Sequence, residues 1–228
     1  MLRTLFVVLA SSVALVGHGH ATTFIFEGNG GQFDTPTGNI AQDCGSIGVD
    51  LCTDDDSLGF SYLKDSIGFT VTGFADGNVA TIVQDILPDN SGLGVLSEEN
   101  DVDDQTQSDA SEVIEFVFTQ VVNLFDIEFN AGNDVNCSSP GAEGPCGDFD
   151  LFIDGALFGS FGAVDLLANS FTGTSFRFAP TTPGGGFAIA RISVETLSTP
   201  IPGAALFLLT GGIGLAGAFG RRKIRRSA

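Results

Sequence analysis

The chain has no tryptophan, one tyrosine, one methionine and two histidines in 228 residues. Both histidines, His18 and His20, fall inside an opening segment that reads as a cleavable leader, so the mature chain is expected to carry none. That removes Ser-His-Asp and Cys-His catalysis, and no G-x-S-x-G elbow is present. Basic residues are nearly as scarce. Between residues 22 and 198 only Lys64, Arg177 and Arg191 are positive, against all 28 acidic residues of the chain, a balance of −25. Such a surface repels nucleic-acid phosphate and anionic lipid and draws in cations, so nucleic acid is excluded as a partner. Carboxylates for glycoside cleavage are plentiful, yet no spacing singles out an acid with a raised pKa, and no catalytic residue is assigned.

Long amphipathic helical patterns are also missing between 22 and 198. In their place the sequence alternates with period two. In "EVIEFVF", Ile114, Phe116 and Phe118 share one face and Val113, Glu115 and Val117 the other. In "LFDIEFN", Phe125, Ile127 and Phe129 oppose Asp126 and Glu128, as in an antiparallel strand with one wet face. At least eight such runs, separated by Gly, Asn, Asp and Pro turns, predict an all-β fold: a single antiparallel β-sandwich, jelly-roll-like, over residues 22–198. With 21 phenylalanines in the chain, the core between the sheets is expected to be lined by phenylalanine.

The opening "MLRTLFVVLASSVALVGHGHA" has Arg3, an apolar run from Leu5 to Val16, and small residues before a cut after Ala21. Residues 1–21 read as a secretory signal peptide, because the run of about 12 residues falls short of the ~20 that a membrane span needs. An exported chain meets an oxidising compartment, where Cys44, Cys52, Cys137 and Cys146 are expected to form disulfides. Three connectivities are open; Cys44 with Cys52 and Cys137 with Cys146 fit the spacing best. Zinc is disfavoured, since neither C-x2-C spacing nor accompanying histidine is present.

At the other end, Pro200 and Pro202 stop the preceding strand, and an apolar run continues from Ile201 to Phe219, broken only by Thr210. As a helix its 19 residues would span about 28 Å, close to the ~30 Å of bilayer hydrocarbon. Arg221, Arg222, Lys223, Arg225 and Arg226 follow, and basic residues stay on the cytoplasmic side, which puts the acidic domain outside. Gly203, Gly211, Gly212, Gly214 and Gly217 make the helix thin enough for close approach by another helix. A transient sorting helix and a permanent single-span anchor both fit these residues.

The order Pro-x-Pro, apolar helix and Arg-rich tail in "TPIPGAALFLLTGGIGLAGAFGRRK" resembles a PEP-CTERM sorting signal, most of all the variant typified by Val-Pro-Leu-Pro-Ala. Thr199 stands where that variant has Val, and Gly203 where it has its first Ala. The resemblance covers residues 199–228. It implies recognition by a membrane-embedded exosortase-type enzyme and an exported bacterial protein associated with exopolysaccharide and biofilm. By the same resemblance Pro200, Ile201 and Pro202 form the recognition motif, and Arg221, Arg222, Lys223, Arg225 and Arg226 the retention tail.

The densest polar stretch is "SEENDVDDQTQSDASEVIEF". Counted from Asp101 as a twelve-residue loop, it puts Asp103 at three, Gln105 at five, Asp109 at nine and Glu112 at twelve. Thr106 occupies the position where an EF-hand needs glycine, and a strand pattern follows, so a true EF-hand is rejected. Structural calcium on Asp101, Asp103, Asp104, Asp109 and Glu112 and a solvated acidic loop both remain open. Asn133 and Asp134 with Asp148 and Asp150 form a weaker second cluster, and Asp148, Asp150 and Asp154 also fit the wet face of a strand. The expectation is therefore a non-enzymatic exported surface or matrix protein. The competing one is a calcium-dependent carbohydrate-binding module on a permanent anchor.

Overall fold

The computed structural model describes residues 19–28, 32–42, 51–55, 57–86, 92–96, 106–107, 112–131, 135–136, 148–162, 170–181 and 186–197. The strands are β1 (Ala21–Ile25), β2 (Ile40–Gln42), β3 (Leu51–Asp54), β4 (Phe60–Lys64), β5 (Ile67–Ala75), β6 (Asn78–Asp85), β7 (Gly92–Leu96), β8 (Thr106–Gln107), β9 (Val113–Ala131), β10 (Val135–Asn136), β11 (Phe149–Ile153), β12 (Ala156–Phe161), β13 (Phe171–Pro180) and β14 (Gly186–Thr196). They belong to one compact unit, His20–Leu197. No helix occurs among the described residues, and the sorting helix expected over 201–219 lies outside them.

Every pairing is antiparallel, and the strands form one hydrogen-bonded network rather than two separate sheets. β5, β6, β7, β14 and β9 close into a barrel, because β9 is long enough to serve two neighbours along one edge. Its first half pairs with β5, from Phe69↔Phe118 to Phe74↔Val113, and its second half with β14, from Ala188↔Asn130 to Thr196↔Val122. The gap that opens between β5 and β14 is filled by β6 and β7, with Ile189↔Leu93 closing the circuit. β13, β11 and β12 extend outward from the other edge of β9.

Local sequence explains the hairpins. Asp65-Ser66, Asp76-Gly77 and Asp154-Gly155 join β4 to β5, β5 to β6 and β11 to β12, and all six residues have positive φ between 50° and 78°. Two-residue hairpins of the right twist need both central residues in that region, where Asp and Gly are the least strained.

The alternation in β9 follows the sequence only in part. Ile114, Phe116 and Phe118 are buried while Val117 is exposed, as the pattern requires. Further on, Leu124 is buried at 3% exposure and Phe125 is 36% exposed, the reverse of expectation, whereas Ile127 and Phe129 are buried. The cause is a β-bulge: Ser193 faces Asp126 but Val194 faces Leu124, so Phe125 is skipped in the ladder. One extra residue flips the side-chain phase.

Phenylalanine dominates the core. Nine of the twelve bulkiest fully buried side chains among the described residues are Phe, and their rings meet largely edge to face, as in Phe24–Phe69 (4.8 Å, 81°) and Phe129–Phe187 (5.1 Å, 78°). Such pairs add about 0.5–1.5 kcal/mol each beyond burial of area.

Candidate functional site

The described concavity is an open cleft of about 440 Å³ beside β1, lined by Ile25, Gln32, Phe33, Asp34, Thr35 and Lys64. Lys64 ends β4 and reaches across to β1, where its ammonium donates to the Thr23 carbonyl (2.8 Å) and to Asp34 Oδ2 (2.8 Å). The same carboxylate oxygen accepts from the Ile25 amide at 2.9 Å, and the Asp34 amide donates to the Ile25 carbonyl at 2.7 Å. The ion pair therefore occupies the outward backbone groups of an edge strand, the groups on which a foreign strand would dock. Behind the cleft the Tyr62 hydroxyl donates to Gln84 Oε1 (2.8 Å), and Gln84 Nε2 donates to the carbonyls of Phe26 (2.9 Å) and Asp34 (3.0 Å). Burial first, and the nearby Asp34 charge second, push the Tyr62 phenol well above its ordinary value. Cleft and network together offer an apolar floor, Ile25 and Phe33, with a polar rim, but every charged group there is already engaged in holding β1.

A second arrangement lies where β13 and β11, beyond the barrel, adjoin the barrel strand β5 across β9. Arg177 on β13 sits between two rings, its guanidinium carbon 5.5 Å from the Phe74 centroid and 5.8 Å from that of Phe152. Its Nε is buried without a hydrogen-bond acceptor. The other two cations of the domain are paired, Lys64 with Asp34 and Arg191 with Glu128 and Asp126.

Asp54, at the end of β3, is a buried carboxylate: Oδ2 accepts from the Gly59 amide (2.6 Å) and Oδ1 from the Ile82 amide (3.0 Å). Desolvation raises its pKa, with those two amides acting in the opposite sense. Gly59 has φ +77°, and an added Cβ there would lie 2.3 Å from the Val71 carbonyl oxygen, so this tight turn requires glycine.

The residues singled out from sequence fall mostly elsewhere. Pro200, Ile201, Pro202, Arg221, Arg222, Lys223, Arg225 and Arg226 lie outside the described residues, as do Asp101, Asp103, Asp104, Asp109, Asn133, Asp134, Cys44, Cys137 and Cys146. Cys52 is fully buried on β3 and disulfide-bonded. Glu112 is described and is 1% exposed, just ahead of β9. Among the described residues no group of three or more His, Cys, Asp or Glu could hold a metal ion. The remaining candidate acids serve local structure. The Asp148 carbonyl accepts from Thr181, Asp150 accepts from Ser160, and Asp154 Oδ1 accepts from Thr174 N, Thr174 Oγ1 and Ser175 N. The Thr174 hydroxyl, then the two amides, hold the Asp154 carboxyl below its usual range. Tyr62, the lone aromatic other than phenylalanine, is 2% exposed and presents no face to a ligand.

Sequence reasoning missed Asp34, Gln84 and Asp54, whose roles depend on long-range pairing. Lys64 and Arg177 carried a signal in their rarity, since a cation kept in so acidic a domain has a defined partner or task. No family model, curated protein or solved structure matches this chain.

Proposed function

We propose that this is a non-enzymatic, exported protein of a bacterial surface or extracellular matrix, delivered through a PEP-CTERM-like C-terminal sorting signal. The observation that carries the reading is the tail itself: Pro200 and Pro202, the apolar run 201–219 and the basic cluster 221–226, following an acidic chain whose residues 1–21 read as a secretory signal. An exosortase-type membrane enzyme would recognise Pro200, Ile201 and Pro202, with the membrane holding the precursor through the 201–219 helix. The acidic domain then works outside the cytoplasm, associated with exopolysaccharide. We read its finer architecture as a flattened, sandwich-like barrel of the jelly-roll kind, a fold suited to persistence outside the cell. Hydrophobic closure of the barrel, Cys52 in a disulfide and caps on edge strand β1 support such a role.

The test is the intact mass and C-terminal peptide of the protein recovered from its own cells, in membrane and released fractions. A chain ending between Thr199 and Gly203, without the basic tail, is the expected result. An intact tail in both fractions would make the segment a permanent anchor and favour the second reading, a carbohydrate-binding module with calcium at Asp101, Asp103, Asp104, Asp109 and Glu112.

A further inference from the structure

Both charges in the cleft beside β1 are engaged in holding that strand, yet neither is saturated. An ammonium has three donors, and Lys64 gives one to the Thr23 carbonyl and one to Asp34 Oδ2. A carboxylate has two acceptor oxygens, and both bonds to the Asp34 side chain, from Lys64 and from the Ile25 amide, fall on Oδ2. One donor of Lys64 and the whole of Asp34 Oδ1 are thus left over among the described residues. The Thr35 hydroxyl and the Gln32 carboxamide line the same cleft without a hydrogen bond to any described residue. Phe33 is half-buried against the core, pairs with no other described ring, and floors the cleft with Ile25.

The frame around these groups is fixed. The Asp34 amide donates to the Ile25 carbonyl (2.7 Å), Gln84 Nε2 donates to the Asp34 carbonyl (3.0 Å), and the Thr37 amide donates to the Ser61 carbonyl (2.6 Å). Residues 34–37 are therefore tied to β1 at one end and to β4 at the other, with Pro36 buried between. A site held in this way has little freedom left to lose on binding.

Charge and valence then select the ligand. The balance of −25 over residues 22–198 turns polyanions away, and the Lys64 ammonium stands against a cation in the cleft. One cation against one anion leaves the cleft itself locally neutral, which suits a neutral ligand. The spare donor and the spare acceptor lie side by side, on groups whose Nζ and Oδ2 are 2.8 Å apart. A hydroxyl both donates and accepts, so two hydroxyls on adjacent carbons meet Lys64 and Asp34 separately. A trans secondary amide cannot, because its N–H and C=O point in opposite directions. Further hydroxyls on the same frame reach Thr35 and Gln32, while its C–H face lies on Phe33 and Ile25. A volume of about 440 Å³ has room for one small ring.

We propose that this cleft is a binding site for a neutral polyol, with a vicinal diol held between Lys64 and Asp34 and the carbon frame resting on Phe33 and Ile25. The site goes beyond the sorting reading and does not depend on it, since it is built by β1, β4 and residues 32–37 and C-terminal processing is measured separately.

The test is an NMR titration of the isotope-labelled full chain in detergent micelles, read at the Gln32 carboxamide and the Thr35 and Lys64 amides. The probes are scyllo-inositol, whose hydroxyls are all vicinal, cis,cis-1,3,5-cyclohexanetriol, which has the same ring and no vicinal pair, and acetamide, a primary carboxamide. The expected result is saturable shifts with scyllo-inositol at a Kd of about 1–10 mM, as an open cleft with few contacts implies, and at least about tenfold weaker response to the other two. Lys64→Met is expected to weaken scyllo-inositol binding about tenfold or more and Thr35→Val about two- to fivefold. Thr35→Val breaks no hydrogen bond of the fold, so it carries the test even where Lys64→Met loosens β1. Absence of saturable shifts at these residues, equal binding of the cyclohexanetriol, or unchanged affinity in both variants would overturn the proposal. Acetamide binding as tight as that of scyllo-inositol would overturn the polyol assignment and give the cleft to a carboxamide ligand.

Discussion

Three neighbouring residues of β9 provide a sharp test of the fold. Strict alternation puts Phe125 in the core with Ile127 and Phe129; the bulge puts Leu124 there and turns Phe125 outward. Phe129 is fully buried, its ring 5.1 Å from Phe149, 5.1 Å from Phe187 and 6.0 Å from Phe178. Truncation to alanine there removes the ring and leaves a cavity that these neighbours fill only in part, at a cost of about 3–5 kcal/mol. Leu124→Ala, at a site 3% exposed, is expected to cost about 2–5 kcal/mol by the same mechanism. Phe125→Ala, at a site 36% exposed, is expected to cost about 1 kcal/mol or less. In a domain of this size 1 kcal/mol shifts Tm by about 2–4 °C, so Phe129→Ala and Leu124→Ala lower it by on the order of 10 °C while Phe125→Ala moves it only slightly. Thermal melts of the three variants beside the parent chain read this directly. If Phe125→Ala destabilises as much as Leu124→Ala, the bulge is misplaced, and with it the phase of the second half of β9 and its register on β14.

Asp54→Ala leaves the Gly59 and Ile82 amides without their acceptor, and denaturant unfolding should show a loss of about 1–3 kcal/mol for each group left unpaired. Because desolvation raises the Asp54 pKa in the folded state, its contribution is fully present below the ordinary value of 3.8 and is lost as pH rises through the folded value. The parent chain should accordingly lose stability relative to Asp54→Asn as pH is raised from about 3 to about 7, and a constant difference would contradict the raised pKa. Tyr62 is the single tyrosine in a chain without tryptophan, so its ultraviolet titration is free of overlap. With its folded pKa well above 10.0, tyrosinate absorbance should appear only together with unfolding, and ionisation in the native state at about pH 10 would refute the buried network. Replacing both Asp34 and Lys64 by alanine uncaps β1, and light scattering should then rise with protein concentration. Scattering no greater than that of the parent would show that the ion pair is not an edge cap.

Much of the fold was legible in the sequence for a physical reason: a side chain in a strand alternates between wet and dry faces whatever its partner is. Ile114, Phe116 and Phe118 could be placed on the core face without knowing that β5 and β13 flank them. The three Asp-led turns were legible in the same way, since positive φ is a property of the turn residues themselves. Phe125 was not, because a bulge is an agreement between two strands, and its cause sits on β14, some 70 residues away. The barrel closure was hidden for the same reason, as it depends on β9 sharing one edge between β5 and β14.

The polar side chains divide along the same line. A run of acids such as Asp101, Asp103 and Asp104 attracts attention in the sequence because its members are adjacent, but adjacency says only that a loop is wet. The polar groups that hold this domain together are far apart in the chain: Lys64 lies 30 residues from Asp34, and Gln84 lies 58 residues from the Phe26 carbonyl and 50 from that of Asp34. What the sequence did offer was scarcity. In a domain with 28 acids, any retained lysine or arginine has an abundance of partners, so geometry rather than supply decides its pairing. Lys64 and Arg191 are paired by that geometry; Arg177 instead packs against two phenylalanine rings, while Glu115, opposite it in the ladder, accepts from the Ser175 hydroxyl. If those two ring contacts hold the guanidinium, worth about 0.5–2 kcal/mol, Arg177→Gln lowers Tm by several degrees in a thermal melt, and an unchanged Tm would show that they do not.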